Sequence, residues 1–134
     1  MTTRYPTREY GIPFFMHAMQ LVINFDDTDH ATGIPFPNYI PQDSQFFCAI
    51  VNITTAFNGT TPVLVVGTNS SSFNNIVAGG DVAETPAGVT IVFTGADVDF
   101  SSAPLLPYAK YSDASAGTTG RAVITLLYIP KIDR

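Results

Sequence analysis

The sequence predicts an all-β protein, an antiparallel sandwich or barrel. Apolar residues recur at every second position in several stretches, which is the period of a strand with one buried face. No window of useful length carries the sustained three- and four-residue apolar spacing of an amphipathic helix. Ten glycines and ten prolines punctuate the stretches, as is typical of sandwiches and barrels with many short strands.

Length and composition favour a single domain. A chain of 134 residues, 46% of them hydrophobic, has enough apolar surface to offset the entropy of ordering one core. Its one cysteine cannot form a disulfide within the chain. No stretch approaches the ~18 apolar residues of a membrane-spanning helix. The residues behind Arg4 lack the apolar run of a secretory signal.

The predicted strands follow in order along the chain. Residues 15–25 form the first, with apolar side chains at the odd positions, and residues 47–57 repeat that pattern. Asn58-Gly59 is typical of a two-residue turn, so residues 47–57 and 62–66 are expected to form a hairpin.

The second half of the chain gives three more strands. Residues 89–93 alternate Val89, Ile91 and Phe93 against Thr90 and Val92, and residues 97–100 form a short edge. Residues 121–129 carry apolar side chains at both parities, as expected for a strand covered on both faces.

Two proline-bearing segments interrupt the strands. Residues 1–13 are predicted to form an extended N-terminal arm, which leaves residues 14–134 as the sandwich domain. Residues 34–41 space three prolines among apolar residues, a pattern that pairs poorly inside a sheet. This segment is either a loop folded over the sandwich or an arm that reaches a neighbouring subunit.

Charge excludes two classes of partner. The formal net charge is −5, and no Lys or Arg occurs between Arg8 and Lys110. Nucleic-acid binding needs clustered cations, and so does a basic helix on a membrane surface, so neither partner is expected. Charged residues make up only 13% of the chain. Interface cores are depleted in charge, so the composition suits a protein that is buried within an assembly.

The candidate catalytic and metal-binding residues are sparse. His17 and His30 are too few for a cupin-type metal site, and His17 is interpreted as a core or interface residue. Residues 26–29 hold three carboxylates, interpreted as a solvated turn with an incidental cation site as the alternative. Cys48 is expected to be buried and inert. We therefore predict no enzyme, no cofactor and no metal.

Aromatic residues outside the predicted strands are either lids over the core or anchors in a partner. Those beside the basic residues near the termini fit a protein contact better than a ligand pocket. The predicted partner-contact residues are Arg4, Tyr5, Arg8, Tyr10, Phe36, Tyr39, Lys131 and Arg134.

Two runs of sequence resemble small structural proteins of tailed bacteriophages. The run Phe57-Asn-Gly-Thr-Thr-Pro-Val-Leu-Val-Val-Gly-Thr-Asn69 is similar to a hairpin of those proteins that ends in Leu-x-Val-Gly-Thr and a polar turn. The run Gly-Thr-Thr-Gly-Arg-Ala-Val-Ile-Thr-Leu-Leu-Tyr-Ile-Pro130 is similar to their closing strand. Within that group, size and acidity most resemble the capsid decoration, or cement, proteins.

The resemblance implies a jelly-roll subunit without catalytic residues. It further implies a homotrimer that binds the major capsid protein on the outer surface of the virion and bridges neighbouring capsid subunits, after synthesis in the host cytoplasm. The alternative is a tail or receptor-binding β-sandwich that recognises a surface glycan through a cluster of Asp97, Asp99, Tyr108 and Tyr111. The lack of Trp counts against that alternative, because indole faces suit sugars. A small hydrolase that uses Asp97 and Asp99 as an acid–base pair is a third hypothesis.

Overall fold

The computed structural model describes residues 16–69, 71, 74–93, 103–113 and 117–130. These residues hold seven strands and no helix, so none of them lies in a helix that could cross a membrane. The strands are β1 (His17–Asn24), β2 (Ile34–Pro35), β3 (Gln45–Thr55), β4 (Val63–Gly67), β5 (Gly88–Val92), β6 (Tyr108–Ser112) and β7 (Arg121–Ile129).

The strands form two antiparallel sheets. One has four strands in the order β1-β7-β3-β5, and the other has three in the order β2-β6-β4. The all-β prediction is confirmed, and two antiparallel sheets agree with a sandwich. The jelly-roll assignment stays a prediction. The arm at residues 1–13 and the edge strand at residues 97–100 lie outside the described residues.

A single apolar cluster joins the two sheets. Ile124 and Leu126 of β7 belong to this core together with Leu64 and Val66 of β4, and all four side chains are fully buried. Each such aliphatic side chain contributes about 1.5–3 kcal/mol relative to exposure. The predicted alternation of β1 and of most of β3 matches this core, since Ile23 and Val51 also lie in it.

The predicted hairpin between residues 47–57 and 62–66 is wrong. β3 pairs with β7 and β5, whereas β4 lies in the other sheet beside β6. The φ angle of Gly59 is not positive, so the left-handed conformation of a two-residue hairpin turn is absent there. The Asn58 side chain instead accepts hydrogen bonds from the backbone N–H groups of Thr118 and Thr119. Residues 56–62 therefore connect one sheet to the other.

A bulge reverses the predicted parity at the start of β3. Phe46 pairs with Tyr128, but the next pair is Cys48 with Leu127, so one extra residue of β3 stands opposite β7. Phe46 consequently packs against the core, and Phe47, predicted to share the face of the buried odd positions, is 46% exposed.

The register of β5 decides which of its two faces is buried. Val92 pairs with Ala49, and both side chains are buried. Val89 and Ile91, one residue out of phase, point away from the core, and so does Phe93 just beyond the strand. The more uniformly apolar side of this stretch is therefore the exposed side.

The central strand β7 is covered on one face and half-covered on the other. Its even positions are buried, whereas its odd positions from Val123 to Ile129 are half-buried. The prediction of a strand covered on both faces is thus wrong within the described residues. The apolar odd positions belong to an outward-facing surface.

The proline-bearing segment at residues 34–41 contacts other residues of the same chain. Ile34 and Pro35 pair with β6 at the edge of the three-stranded sheet, where a proline is tolerated. Ile40 forms a bridge to Leu105 and is fully buried. Of the two interpretations, the loop folded over the sandwich describes these contacts.

Candidate interaction surface

The surface of the four-stranded sheet that faces away from the core is here called the outer face. Strand registers assign each position to it, because side chains alternate between the two faces of a strand. Its apolar and polar members come from all four strands. By register they are Ala18, Gln20, Val22 and Asn24 of β1, Arg121, Val123, Thr125, Leu127 and Ile129 of β7, Gln45, Ile50, Asn52 and the buried Cys48 of β3, and Val89 and Ile91 of β5. Phe47 and Thr54 at the two register shifts of β3, and Phe93 beyond β5, are exposed beside them.

The most exposed part of the outer face is an apolar ridge along β5. The ridge consists of Phe47, Val89, Ile91 and Phe93, which are 46%, 62%, 52% and 63% exposed. The rings of Phe47 and Phe93 meet edge to face with centroids 5.9 Å apart. Scattered exposed apolar side chains are ordinary, but a contiguous group marks an interaction site.

The outer face carries almost no charge. None of the eleven Asp and Glu residues of the chain lies in β1, β3, β5 or β7. Arg121 is the one Lys or Arg in these four strands, and it lies at the start of β7. Its guanidinium donates a hydrogen bond to the Thr54 hydroxyl, 3.0 Å away.

Polar side chains on this face bind to one another. The Gln20 amide donates to the Thr125 hydroxyl at 3.0 Å, and the Thr54 hydroxyl donates to the Arg121 carbonyl at 3.2 Å. Groups already paired within the sheet lose less when water is removed. The chemistry of the outer face therefore suits contact with another protein surface.

Of the predicted partner-contact residues, the structure describes two. Phe36 is 2% exposed within the core, so its assignment as a partner anchor is wrong: its ring is a lid over the core of its own chain. Tyr39 is 61% exposed and stays a predicted contact. Arg4, Tyr5, Arg8, Tyr10, Lys131 and Arg134 lie outside the described residues.

The outer face was not predicted from the sequence. Its signal is present in the apolar residues at both parities of β7 and in the alternation of residues 89–93. Both patterns predict strands, but neither indicates which face of the strand the other sheet covers.

A cavity of about 390 Å³ lies at the end of β6, with Phe25, Asp26, His30, Tyr111 and Asp113 among its walls. The His30 Nδ1 atom lies 2.9 Å from the Tyr111 carbonyl oxygen. The Tyr111 hydroxyl donates to one Asp113 oxygen at 2.9 Å. These polar groups hold the loop at residues 25–33 and the end of β6 together.

Burial of Tyr111 counts against the glycan hypothesis, because a buried ring cannot stack on a sugar. Tyr108 and Tyr111 lie in β6, whereas the sequence assigned them to an irregular segment. Tyr111 is 2% exposed, and its ring packs on Phe57 with centroids 4.5 Å apart. Burial and the hydrogen bond to Asp113 raise the pKa of the Tyr111 phenol above its usual range. Asp97 and Asp99 lie outside the described residues.

Two buried titratable groups lie elsewhere in the fold. The Glu84 carboxylate accepts a hydrogen bond from the Leu64 N–H at 2.9 Å and so fastens its loop to β4. Burial raises the pKa of Glu84. Cys48 is buried as predicted, and burial raises the pKa of its thiol, which lowers the fraction of reactive thiolate.

The acidic run at residues 26–29 folds as a pair of turns. The Asp27 carboxylate accepts from the Asn24 N–H at 2.8 Å, and the Asp29 carbonyl accepts from the N–H groups of Thr32 and Gly33. Within the described part of the chain, no three His, Cys, Asp or Glu side chains are grouped closely enough to hold a metal ion. His17 is exposed at the end of β1, where its ring meets that of Tyr128 edge to face.

Comparison of the chain with protein-family models, with curated proteins and with solved structures finds no match.

Proposed function

We propose that this protein is a non-enzymatic structural component of a virion, a capsid decoration subunit. It binds the outer surface of the shell as a trimer and bridges neighbouring copies of the major capsid protein. The observation that carries this proposal is the outer face, an uncharged and largely apolar sheet surface with a row of exposed large side chains.

The physical requirements of a cement subunit agree with this surface. Such a subunit resists the outward pressure of packaged DNA by adding buried area between neighbours, and it needs a rigid body to transmit the load. Two sheets around one core supply the rigid body. Apolar side chains and internally paired polar groups supply a surface that can lose its water at low cost.

The resemblance to phage structural proteins is a second line of support. Its first run spans the connection at residues 57–62 and strand β4, and its second run contains all of β7. The first run therefore does not form the hairpin to which it is similar, and the support from the resemblance rests on the closing strand.

The contact with the capsid is assigned to a different region from the outer face. Tyr39 projects from a loop beside the three-stranded sheet and is 61% exposed. Arg4, Arg8, Lys131 and Arg134 lie outside the described residues and are included in the proposal for their charge, because the cations of an otherwise acidic chain can pair with acidic groups on the shell.

The test is binding to virions of the phage that encodes the chain. Mass spectrometry of purified particles should detect the protein, and particles stripped of it should bind the purified wild type to saturation. Reversal of Arg4, Arg8, Lys131 and Arg134 to Glu should abolish rebinding, whereas Gln42→Glu, an added carboxylate on an exposed loop, should leave it intact. Absence from the particles together with no rebinding would refute the proposed function. Unchanged rebinding of the fourfold variant would refute only the role of the cations.

A further inference from the structure

We propose that the outer face is the self-association surface of this protein, and that its occupant is a second copy of the same chain presenting the same face. Two identical faces in contact close at two copies, so this assignment goes beyond the trimer of the proposed function and does not rest on it. The contact itself is argued from the sheet alone.

Charge favours a copy over a charged partner. The chain carries a formal net charge of −5, so two copies repel each other over most surfaces that bear carboxylates. The four strands of this sheet contain no Asp or Glu, and a copy can therefore approach here without a carboxylate at the contact. A basic or acidic partner would find no complementary charge on this face except Arg121 at one end. An uncharged apolar sheet is the matching surface, and a second copy supplies one.

The size of the outer face suits a protein interface. Strands about 4.8 Å apart that rise about 3.3 Å per residue give these four strands a flat projection of about 500 Å², before the relief of the side chains is added. A specific interface buries about 800 Å² per partner. Two sheets pack face to face about 10 Å apart with interdigitated side chains, and the ridge residues have the length to fill such a gap.

The position of the ridge supplies a further argument. Among the described strands, β5 has one neighbour, β3, and so forms an edge of its sheet. An apolar edge strand left open to solvent is a site of uncontrolled pairing with other chains. A copy seated over Val89, Ile91 and Phe93 covers the ridge and shields this edge.

The experiment is sedimentation velocity of the purified protein alone over a concentration series, with wild type, Ile91→Glu and Val89→Glu. The wild type should reach twice its 14.4 kDa mass. Each variant should weaken association by about a hundred-fold or more, because every contact would bury an unpaired carboxylate. The matched control is Ala31→Glu, which places the same charge at an exposed position of the loop at residues 25–33, whose His30 carbonyl binds β6 of the other sheet. It should associate like the wild type.

Circular dichroism and thermal melting establish that each variant is folded. Both ridge substitutions lie at exposed positions of an edge strand, so the core is untouched. Two positions are tested so that the inference can still be judged if one variant does not fold. A wild type that stays monomeric at every concentration would overturn the inference, as would association that survives both ridge variants or is lost equally in Ala31→Glu.

Self-association and virion binding fail independently. A monomer that binds stripped particles would refute this inference and leave the proposed function standing. Association that depends on the ridge, without any binding to particles, would support this inference and refute the proposed function. Two identical faces in contact close at two copies, so a mass of two supports this inference and contradicts a trimer that forms in solution, whereas a mass of three would overturn the same-face contact.

Discussion

One added methyl group at Gly120 should damage this fold through both backbone strain and overlap with a buried ring. Its φ angle is +150°, a conformation that side-chain-bearing residues rarely adopt. A Cβ atom there would overlap the ring of Phe57, which is itself 1% exposed and packed against Tyr111. The carbonyl of Gly120 also accepts the N–H of Phe25, so the backbone has little freedom to move away.

Comparison with two other glycines separates the backbone strain of Gly120→Ala from its steric overlap with Phe57. Gly88 has φ +155° but open space where a methyl group would lie, and Gly80 has open space and no positive φ. The backbone strain costs about 1–3 kcal/mol, of which the lower entropy of the unfolded alanine chain returns about 0.4–1 kcal/mol. Overpacking against Phe57 adds about 1–3 kcal/mol. We therefore expect Gly80→Ala to be near neutral, Gly88→Ala to cost about 1–2 kcal/mol and Gly120→Ala to cost about 2–5 kcal/mol.

Urea unfolding of the wild type and the three variants measures these differences. Domains of this size are stable by about 5–15 kcal/mol, so the loss at Gly120 would be a large part of the total. The order Gly80, Gly88, Gly120 is the decisive result. If Gly120→Ala were no less stable than Gly88→Ala, the packing of Phe57 against the Gly120 backbone would not be as described.

Two further predictions concern polar groups that join distant segments. The pKa of the Glu84 carboxyl group is raised above its ordinary value of 4.5, so the native state holds this proton to a higher pH than the unfolded chain does. The stability of the wild type should therefore decline relative to that of Glu84→Gln as the pH rises from about 4.5 through the raised pKa. Urea midpoints that differ by a constant amount at every pH would contradict this. Asn58→Ala should lower the free energy of unfolding by about 1–2 kcal/mol, because the N–H groups of Thr118 and Thr119 lose their acceptor. Asn58→Asp keeps an acceptor oxygen and should lower it by less. Equal losses in urea unfolding would show that the acceptor is unimportant.

Strand positions were predictable because alternation is a local property. β1 and β3 each carry it over at least eight residues, β7 is a run of apolar residues at both parities, and the structure places each within about two residues of its predicted start. Strand partners were not predictable in the same way. The Asn58-Gly59 pair has the composition of a hairpin turn, but the Asn58 side chain binds a loop 60 residues away, and no local pattern reports such a contact.

The outer face escaped prediction for a related reason. Alternation tells which residues share a face of a strand, but not which face the second sheet will cover. In β5 both faces carry apolar residues, and the pairing of Val92 with Ala49 decides the matter. The bulge beside Phe47 likewise depends on β7, a strand more than 70 residues further along the chain. Only the assembled sheet turns these residues into a surface.

The central place of β7 bears on how the protein is made. This strand comes after all the other described strands in sequence, yet it lies between β1 and β3 and pairs with both. During synthesis on the ribosome, β1 and β3 must therefore wait for their shared neighbour to emerge. Until then their apolar edges are open to other nascent chains. A truncated product that lacks residues 121–129 has no four-stranded sheet to form, so strand order alone ties the folding of this sheet to the synthesis of β7.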